Sequence, residues 1–164
     1  SDVLSLVGDV AGRDVVEVGY GPGTLAQALL SRGAHVRGVD PSERMHAMAR
    51  RRNAAAARDG RADLRIGDAE STGLADGCAD LVVSANNVPM WPDLAAGLQE
   101  MRRLLRPGGR LVVSWHGGTQ ASRMARRFAL PEHALGRIEE ELRSALGNAE
   151  RHDLAHVVAF TATR

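Results

Sequence analysis

The chain has 164 residues, of which 44% are hydrophobic and 25% are charged. These proportions are near the average for globular domains and exclude intrinsically disordered and collagen-like proteins, so we expect a single domain over residues 1–164. The 21 basic residues, all of them arginine, are balanced by 20 acidic residues. This near-neutral charge argues against a nucleic-acid or membrane-surface partner.

Cysteine content and hydropathy narrow the class of protein further. Cys78 is the single cysteine of the chain, and it has no Cys or His neighbours at metal-ligand spacing. The sequence therefore predicts neither an internal disulfide nor a metal site. It also lacks an apolar run long enough to span a bilayer and a basic-then-apolar leader, so we expect a cytoplasmic protein.

The first half of the chain predicts two strand–helix units. The apolar run at 14–18 stops at a glycine cluster and is typical of a buried parallel strand, and leucines at helical spacing predict a helix over 22–32. A second strand at 35–39 ends at Asp40, and a second helix is predicted over 41–57.

The second half continues the alternation of strands with helices. The predicted strands are 64–66, 81–85 and 110–115, followed by a candidate strand at 150–154 and a terminal strand at 157–162. The predicted helices are an amphipathic helix at 92–105, which Pro107-Gly108-Gly109 ends, and a helix at 131–146. Strands that alternate with helices favour a parallel sheet with right-handed crossovers. The predicted fold class is α/β: a Rossmann-like, doubly wound, mostly parallel sheet with a short antiparallel strand pair at its C-terminal end.

The densest chemical signal lies where the first predicted strand meets the first helix. Gly19, Gly21 and Gly23 allow the backbone to turn sharply and to approach a ligand closely, and free amides at the helix start add hydrogen-bond donors. Asp40 follows at the carboxyl end of the neighbouring strand, where a carboxylate can accept hydrogen bonds from a ribose diol. The pattern predicts a site for a ribose-bearing cofactor.

Two features distinguish between the cofactors that could use this geometry. Dinucleotide enzymes carry Gly-x-Gly-x-x-Gly, whereas here the third glycine comes one residue early and Thr24 stands in its place. Glu17 precedes the glycines, and its charge is unfavourable beside a pyrophosphate but suits a cationic amino-acid group. The loop therefore favours an aminoacyl nucleoside, while a nicotinamide-dependent oxidoreductase remains as an alternative.

From about Val15 to Trp115 the sequence resembles the class I S-adenosylmethionine-dependent methyltransferases, in particular their small-molecule, ubiquinone-biosynthesis-like group. Five segments carry the resemblance in family order, and the order makes it specific. They are Glu17 to Gly23, Val39-Asp40-Pro41-Ser42 with Met45, Gly67-Asp68-Ala69-Glu70, Asp80-Leu81-Val82-Val83-Ser84, and Arg103 to Leu111.

The resemblance implies S-adenosyl-L-methionine as cofactor and a role for each matching residue. Gly19, Gly21 and Gly23 would pass the methionine portion with Glu17 beneath it, and Tyr20, between the first two glycines, would lie near the cofactor. Asp40 beside Pro41 would bind the ribose. Met45 would pack on the adenine, Asp68 and the Ala69 amide would contact its edge, and Asn86 would face the methionine end. In-line transfer to a small-molecule acceptor then needs mainly proximity and alignment. No general base is identified; the weak catalytic candidates are Asn86, His116 and Tyr20, the last of which replaces the family's small residue.

Several interpretations remain open at this stage. A relative that binds the cofactor without turnover, as a regulatory or partner subunit, is a second candidate function. The segment Asn87-Val88-Pro89-Met90 stands where some methyltransferases carry Asn-x-Pro-aromatic, although Met90 replaces the aromatic residue. The arginines at 50–52 are interpreted as a solvated helix face, and those at 123–127 as solvated or as contacts to an anionic acceptor.

Overall fold

A computed structural model describes residues 2–164. The strands are β1 (Asp14–Val18), β2 (His35–Asp40), β3 (Ala62–Ile66), β4 (Ala79–Ala85), β5 (Leu105–His116), β6 (Glu150–Asp153) and β7 (Val157–Thr163). The helices are α1 (Asp2–Val7), α2 (Thr24–Ser31), α3 (Glu43–Arg52), α4 (Ala54–Arg58), α5 (Leu94–Leu104), α6 (Arg123–Arg126) and α7 (Glu132–Leu146), with a short 3-10 turn at Val88–Met90.

The strands form one seven-stranded sheet in the order β3-β2-β1-β4-β5-β7-β6. The first five strands are parallel, and β7 runs antiparallel to both β5 and β6. The chain winds outward from β1 to β3 and then returns to the other side of β1 as β4. Ligands of such sheets bind outside the carboxyl ends of the strands at this reversal of order, so the topology itself places a crevice beside β1 and β4.

Helices cover both faces of the sheet because the central strands are apolar on both sides. Val16 of β1 packs in one core cluster with Leu98 of α5 and Leu142 of α7. Val15 packs in a second cluster with Leu29 of α2, and that cluster also contains buried residues of α1 and α4. The fold class predicted from the sequence, including the antiparallel pair and the candidate strand near residue 150, is confirmed.

Three local predictions differ from the structure. Helix α1 was not predicted. The helix expected over 41–57 is two helices, because the Asn53 side chain donates hydrogen bonds to Ala49 O at 3.0 Å and to Gly23 O at 3.1 Å. Strand β5 begins directly after α5 rather than beyond Gly109, since Leu105 already pairs with Ala79 of β4.

Within residues 2–164, no helix combines the length and the apolar character that crossing a membrane requires.

Candidate ligand site at the carboxyl edge of the sheet

A cavity of about 650 Å³ opens at the carboxyl ends of β1, β2 and β4, within the size range of small-molecule sites. Its lining includes every residue that the resemblance assigned to the cofactor except Gly23: Glu17, Gly19, Tyr20, Gly21, Asp40, Pro41, Met45, Asp68, Ala69 and Asn86. The structure therefore gathers at one edge residues that the sequence spreads over about 70 positions.

Gly19 begins the turn after β1 and cannot be replaced without disruption. Its φ is +74°, and an added Cβ would lie 2.2 Å from Nδ2 of Asn87. Gly23 does not line the cavity, because it caps α2 with φ +77° and lies against Asn53. A Cβ added to Gly23 would lie 2.6 Å from Nδ2 of Asn53. Gly23 thus shapes the loop from behind instead of lining the cavity.

The Asp40 carboxylate joins the glycine turn to the start of the next helix. One oxygen accepts a hydrogen bond from Gly21 N at 2.8 Å and the other from Ser42 N at 2.9 Å. The side chain is buried, with 7% of its residue surface exposed, and each carboxylate oxygen retains lone-pair capacity. Asp40 is therefore held rigidly at the cavity wall with acceptors left for a ligand hydroxyl.

Glu17 is the most unusual group of the site because it is a buried carboxyl without a full set of partners. The residue is 2% exposed, and its Oε2 has no hydrogen-bond partner among the described residues. Burial raises the pKa of Glu17 well above its ordinary value, and the neighbouring Asp40 charge raises it further, while a backbone hydrogen bond from Ala26 opposes both. A cation would stabilise the ionised form of this carboxyl.

Asn86 follows β4 in a left-handed backbone conformation with φ +58°. Its backbone N–H donates to Ser114 O at 2.8 Å, which fixes the residue against β5. The side-chain Oδ1 is buried and has no partner within the described chain. Non-glycine residues in this conformation are uncommon and often mark functional sites.

Tyr20 lines the cavity, but its hydroxyl is hydrogen-bonded to residues of β3 and α3. The hydroxyl donates to Arg65 O at 2.8 Å and lies 2.8 Å from His46 Nδ1. Burial raises the pKa of Tyr20, as do the charges of Asp40 and Glu17. The structure therefore does not support Tyr20 as a catalytic candidate, since its one polar side-chain atom is already engaged at the β3 side of the sheet.

His116 does not line the cavity. It ends β5, where its ring packs at 5.3 Å from Trp115 and 6.1 Å from Phe128, measured between centroids. The position past a parallel strand suggested a ligand contact, but His116 pairs with Val157 of β7 and is absent from the lining of the cavity.

Asn87 is the site residue whose role the sequence did not reveal. Its Nδ2 donates to the carbonyls of Val18, Gly19 and Ala85 at 3.0–3.3 Å. Its Oδ1 accepts from the Ser84 hydroxyl at 2.7 Å and from the Trp91 indole at 2.8 Å. Because these bonds occupy the whole amide, Asn87 fastens the glycine turn to β4 and does not have the free amide that the Asn-x-Pro-aromatic interpretation requires.

The remaining predicted residues form the far wall of the cavity. Met45 is half-buried in the first turn of α3, Ala69 is buried, and Asp68 is exposed. Arg52 lies on an exposed helix face, as the sequence interpretation expected, and it also donates to Pro22 O at 2.6 Å and to the Thr24 hydroxyl at 2.9 Å. An arginine of α3 therefore also supports the glycine loop.

Comparisons with known proteins agree with this geometry. The methyltransferase domain family matches residues 16–113. An uncharacterized methyltransferase of Bacillus subtilis is 33% identical over 68% of this chain and 60% of its own length. A demethylmenaquinone methyltransferase of Clavibacter sepedonicus is 36% identical over 65% of this chain and 42% of its own length. The chain thus spans only about half the length of these relatives.

Solved structures show the same fold. An S-adenosyl-L-methionine-dependent methyltransferase from Methanococcus maripaludis superposes with a TM-score of 0.80 and 22% identity, over 94% of this chain and 78% of that one. A phosphoethanolamine N-methyltransferase of Haemonchus contortus, in complex with S-adenosyl-L-methionine, gives a TM-score of 0.77 and 20% identity, over 99% and 51%. The chain belongs to the methyltransferase domain family and has the class I, Rossmann-like fold of the S-adenosylmethionine-dependent methyltransferases.

Proposed function

We propose that the chain binds S-adenosyl-L-methionine in the cavity at the carboxyl edge and transfers its methyl group to a small organic acceptor. The observation that carries the proposal is the pair of buried carboxyls at one cavity wall, Glu17 and Asp40, of which Glu17 has an oxygen without a partner. An anionic wall beside a glycine turn suits a cationic amino-acid group joined to a ribose.

The residues present fit this cofactor in size and in charge. The cavity of about 650 Å³ falls in the range that encloses small ligands. The ammonium group of the methionine portion is the type of cation that lowers the free energy of a buried carboxylate. We expect Glu17 to interact with this ammonium group, directly or through the loop amides. That interaction would offset the cost of burying the Glu17 carboxyl.

Further roles follow from position. The remaining lone pairs of Asp40 would accept from the ribose hydroxyls, Met45 would pack against the adenine, and Asp68 with the Ala69 amide would contact its edge. Asn86 would face the methionine end, where β4 terminates. The Asn87 amide acts indirectly, since it fixes the Gly19 turn that these contacts share.

When bound, the cofactor supplies an electrophilic methyl group on a good leaving group. The chain needs no nucleophilic side chain for this displacement. Its contribution is to hold the reactants in line and at short distance, and orientation of this kind supplies much of the rate enhancement in such reactions. The fixed turn at Gly19 and the strand-anchored Asn86 provide that rigidity.

The alternatives are less well supported. For a dinucleotide, the start of the helix would carry the third glycine that permits close packing of the helix on the strand, but Thr24 stands at that position. A relative that binds the cofactor without turnover shares the same cofactor contacts. The name of the Clavibacter relative, a demethylmenaquinone methyltransferase, favours turnover on a small organic acceptor.

Isothermal titration tests the cofactor assignment. We expect heat on titration with S-adenosyl-L-methionine and with S-adenosylhomocysteine, and none with NADH. Absence of heat with both sulfur compounds, or heat with NADH alone, would contradict the proposal. Detection of a methylated product from any small acceptor, by mass spectrometry, would then exclude the binding-only alternative.

A further inference from the structure

A second cavity of about 430 Å³ adjoins the first at the same edge of the sheet. Four residues line both cavities, namely Thr24, Leu25, Ala85 and Asn86. The shared wall lies at the start of α2 and the end of β4, which is the end of the first cavity that the proposed function assigns to methionine. A molecule in the second cavity would therefore lie next to the transferable methyl group.

The lining of the second cavity is mostly apolar. Val3 and Leu4 of α1, Ala28 of α2 and Val157 of β7 form its walls together with the shared Leu25. Burial of apolar surface against such walls favours ligands with a hydrocarbon body. The cavity thus selects a small, largely apolar molecule rather than a sugar or a highly charged metabolite.

The polar groups of the cavity are few and are placed at two sites. Asn86 Oδ1 is buried without a partner in the described chain, so it can accept a hydrogen bond from a ligand N–H or O–H. Asp2 and His156 are the two titratable residues of the lining. They come from α1 and from the turn before β7, while α2 and β4 contribute no charged group to this cavity.

Asp2 orients His156. Its carboxylate accepts from the His156 backbone N–H at 2.6 Å and lies 3.4 Å from Nδ1 of the imidazole. These contacts lower the pKa of Asp2, with the backbone hydrogen bond as the main cause. A proton held on Nδ1 by the carboxylate leaves Nε2 as the basic nitrogen, and the His156 side chain is 69% exposed.

We propose that the second cavity is the acceptor site, that it takes a small apolar molecule bearing one weakly acidic O–H or N–H, and that His156 is its general base with Asp2 as the positioning residue. This inference depends on the proposed function, because it assigns the cofactor to the first cavity. Where the acceptor carries a further donor, Asn86 Oδ1 can accept a hydrogen bond from it and so orient the acceptor.

The proposed step balances. The lone pair of the acceptor heteroatom forms the new bond to the methyl carbon, the carbon–sulfur bond breaks, and its electron pair stays on sulfur, which becomes a neutral thioether. The proton of the acceptor passes to Nε2 of His156, which becomes an imidazolium beside the Asp2 carboxylate. No oxidant, metal or further reactant is needed.

The test uses 4-nitrophenol as a probe, because it has an apolar ring and one weakly acidic hydroxyl, and because its neutral and ionised forms absorb differently. Binding of S-adenosylhomocysteine is measured first; its failure would overturn the proposed function itself. With that ligand bound, we expect the wild-type protein to bind the probe. We also expect the apparent pKa of the bound probe to fall by about one unit, owing to proton transfer to His156.

Matched variants locate the site. Ala28→Trp fills the second cavity without contributing to the first and should weaken probe binding at least about tenfold, whereas Gln27→Trp, on the exposed neighbouring position, should leave it unchanged. Affinity for S-adenosylhomocysteine should persist in both variants. Equal probe affinity in Ala28→Trp and Gln27→Trp, or no probe binding to the wild type, would overturn the assignment of the cavity.

A second pair of variants tests the base. His156→Gln should bind the probe within about threefold of wild type but return its apparent pKa to the value in solution or above, and Asp2→Asn should shift it in the same direction by a smaller amount. His133→Gln, at an exposed position of α7, is the control and should behave as wild type. An unchanged probe pKa in His156→Gln would overturn the role of His156.

Discussion

The polar and charged groups at the two edges of the sheet differ in how completely they are paired. At the amino ends of β1 and β4, Asp14 pairs with Arg37 at 3.2 Å and with Arg106 at 2.7 Å, and Arg106 also pairs with Asp80 at 2.6 Å. Asp80 further accepts from the Asp14 backbone N–H at 2.9 Å. At this edge, the charged groups complete one another's hydrogen bonds.

At the carboxyl edge, the polar groups are more deeply buried yet less completely paired. Oε2 of Glu17 and Oδ1 of Asn86 have no partner among the described residues. Unpartnered buried polar atoms cost stability, and the proposed function would give these two atoms ligand partners. The amino edge contributes paired charges to the fold, whereas the carboxyl edge carries the proposed site.

The largest expected loss of stability concerns the glycine turn at the carboxyl edge. Gly19→Ala places a Cβ 2.2 Å from the Asn87 amide at φ +74°, and we expect it to lower the free energy of unfolding by about 3 kcal/mol. Gly21→Ala is the control, since it has similar strain but no atom within 4 Å, and it should cost about 1 kcal/mol. Urea denaturation measures both; equal losses would contradict the clash.

A pair of aspartates separates ligand binding from stability. Asp40→Ala should weaken S-adenosylhomocysteine binding by about 2 kcal/mol, because the ribose would lose a charged acceptor. Asp80→Ala should leave that affinity unchanged and lower the free energy of unfolding by about 1–2 kcal/mol. Calorimetric titration and denaturant unfolding of both variants check the contrast. A folded Asp40→Ala protein that binds S-adenosylhomocysteine as tightly as wild type would contradict it.

Glu17→Gln should stabilise the ligand-free protein and weaken its binding of the cofactor. Because the folded-state pKa of Glu17 is raised, the native state binds more protons than the unfolded state above the ordinary pKa, and wild-type stability falls as pH rises from there. The variant lacks this fall and should exceed wild type by about 1–2 kcal/mol at pH 8. Thermal unfolding at pH 5 and pH 8 tests it; a gap that does not widen with pH would argue against the buried acid.

A fully paired carboxylate should show the opposite pH dependence. Arg103 holds the pKa of Glu100 down at about 2, with help from Thr72. The resulting stability is present above the ordinary pKa and is lost as pH falls toward 2. Glu100→Gln should therefore cost about 1 kcal/mol at pH 7 and nothing near pH 2, after allowance for solvent screening. A deficit independent of pH would indicate a packing effect instead.

The sequence predicted the fold well because its signals are local and repeated. Apolar runs that end at Gly19, Asp40 or Asn86 mark buried parallel strands, and the order of strands and helices leaves few topologies. The residues that the resemblance assigns to the cofactor, apart from Gly23, lie together at one cavity for the same reason, since the carboxyl ends of neighbouring parallel strands meet at one edge.

What the sequence could not give depends on side-chain direction. The position of Tyr20 in the chain places it beside the cofactor, but where its hydroxyl ends is set by the turn conformation and by His46, 26 residues away. Asn87 resembles part of a substrate motif, and only the distances to Val18 and Trp91 show that its amide is fully used. The neighbouring Asn86 and Asn87 therefore have different roles that no local pattern separates.

The amide of Asn87 has a consequence for any redesign of this chain. This amide links the glycine turn, the end of β4 and the Trp91 indole. Gly97 leaves space for that indole, since a Cβ on Gly97 would lie 2.6 Å from the indole ring. Grafting a foreign segment over 88–92 to alter substrate choice would remove the indole donor and disturb the turn on the opposite side of that amide. A successful graft has to import a replacement N–H together with the new loop.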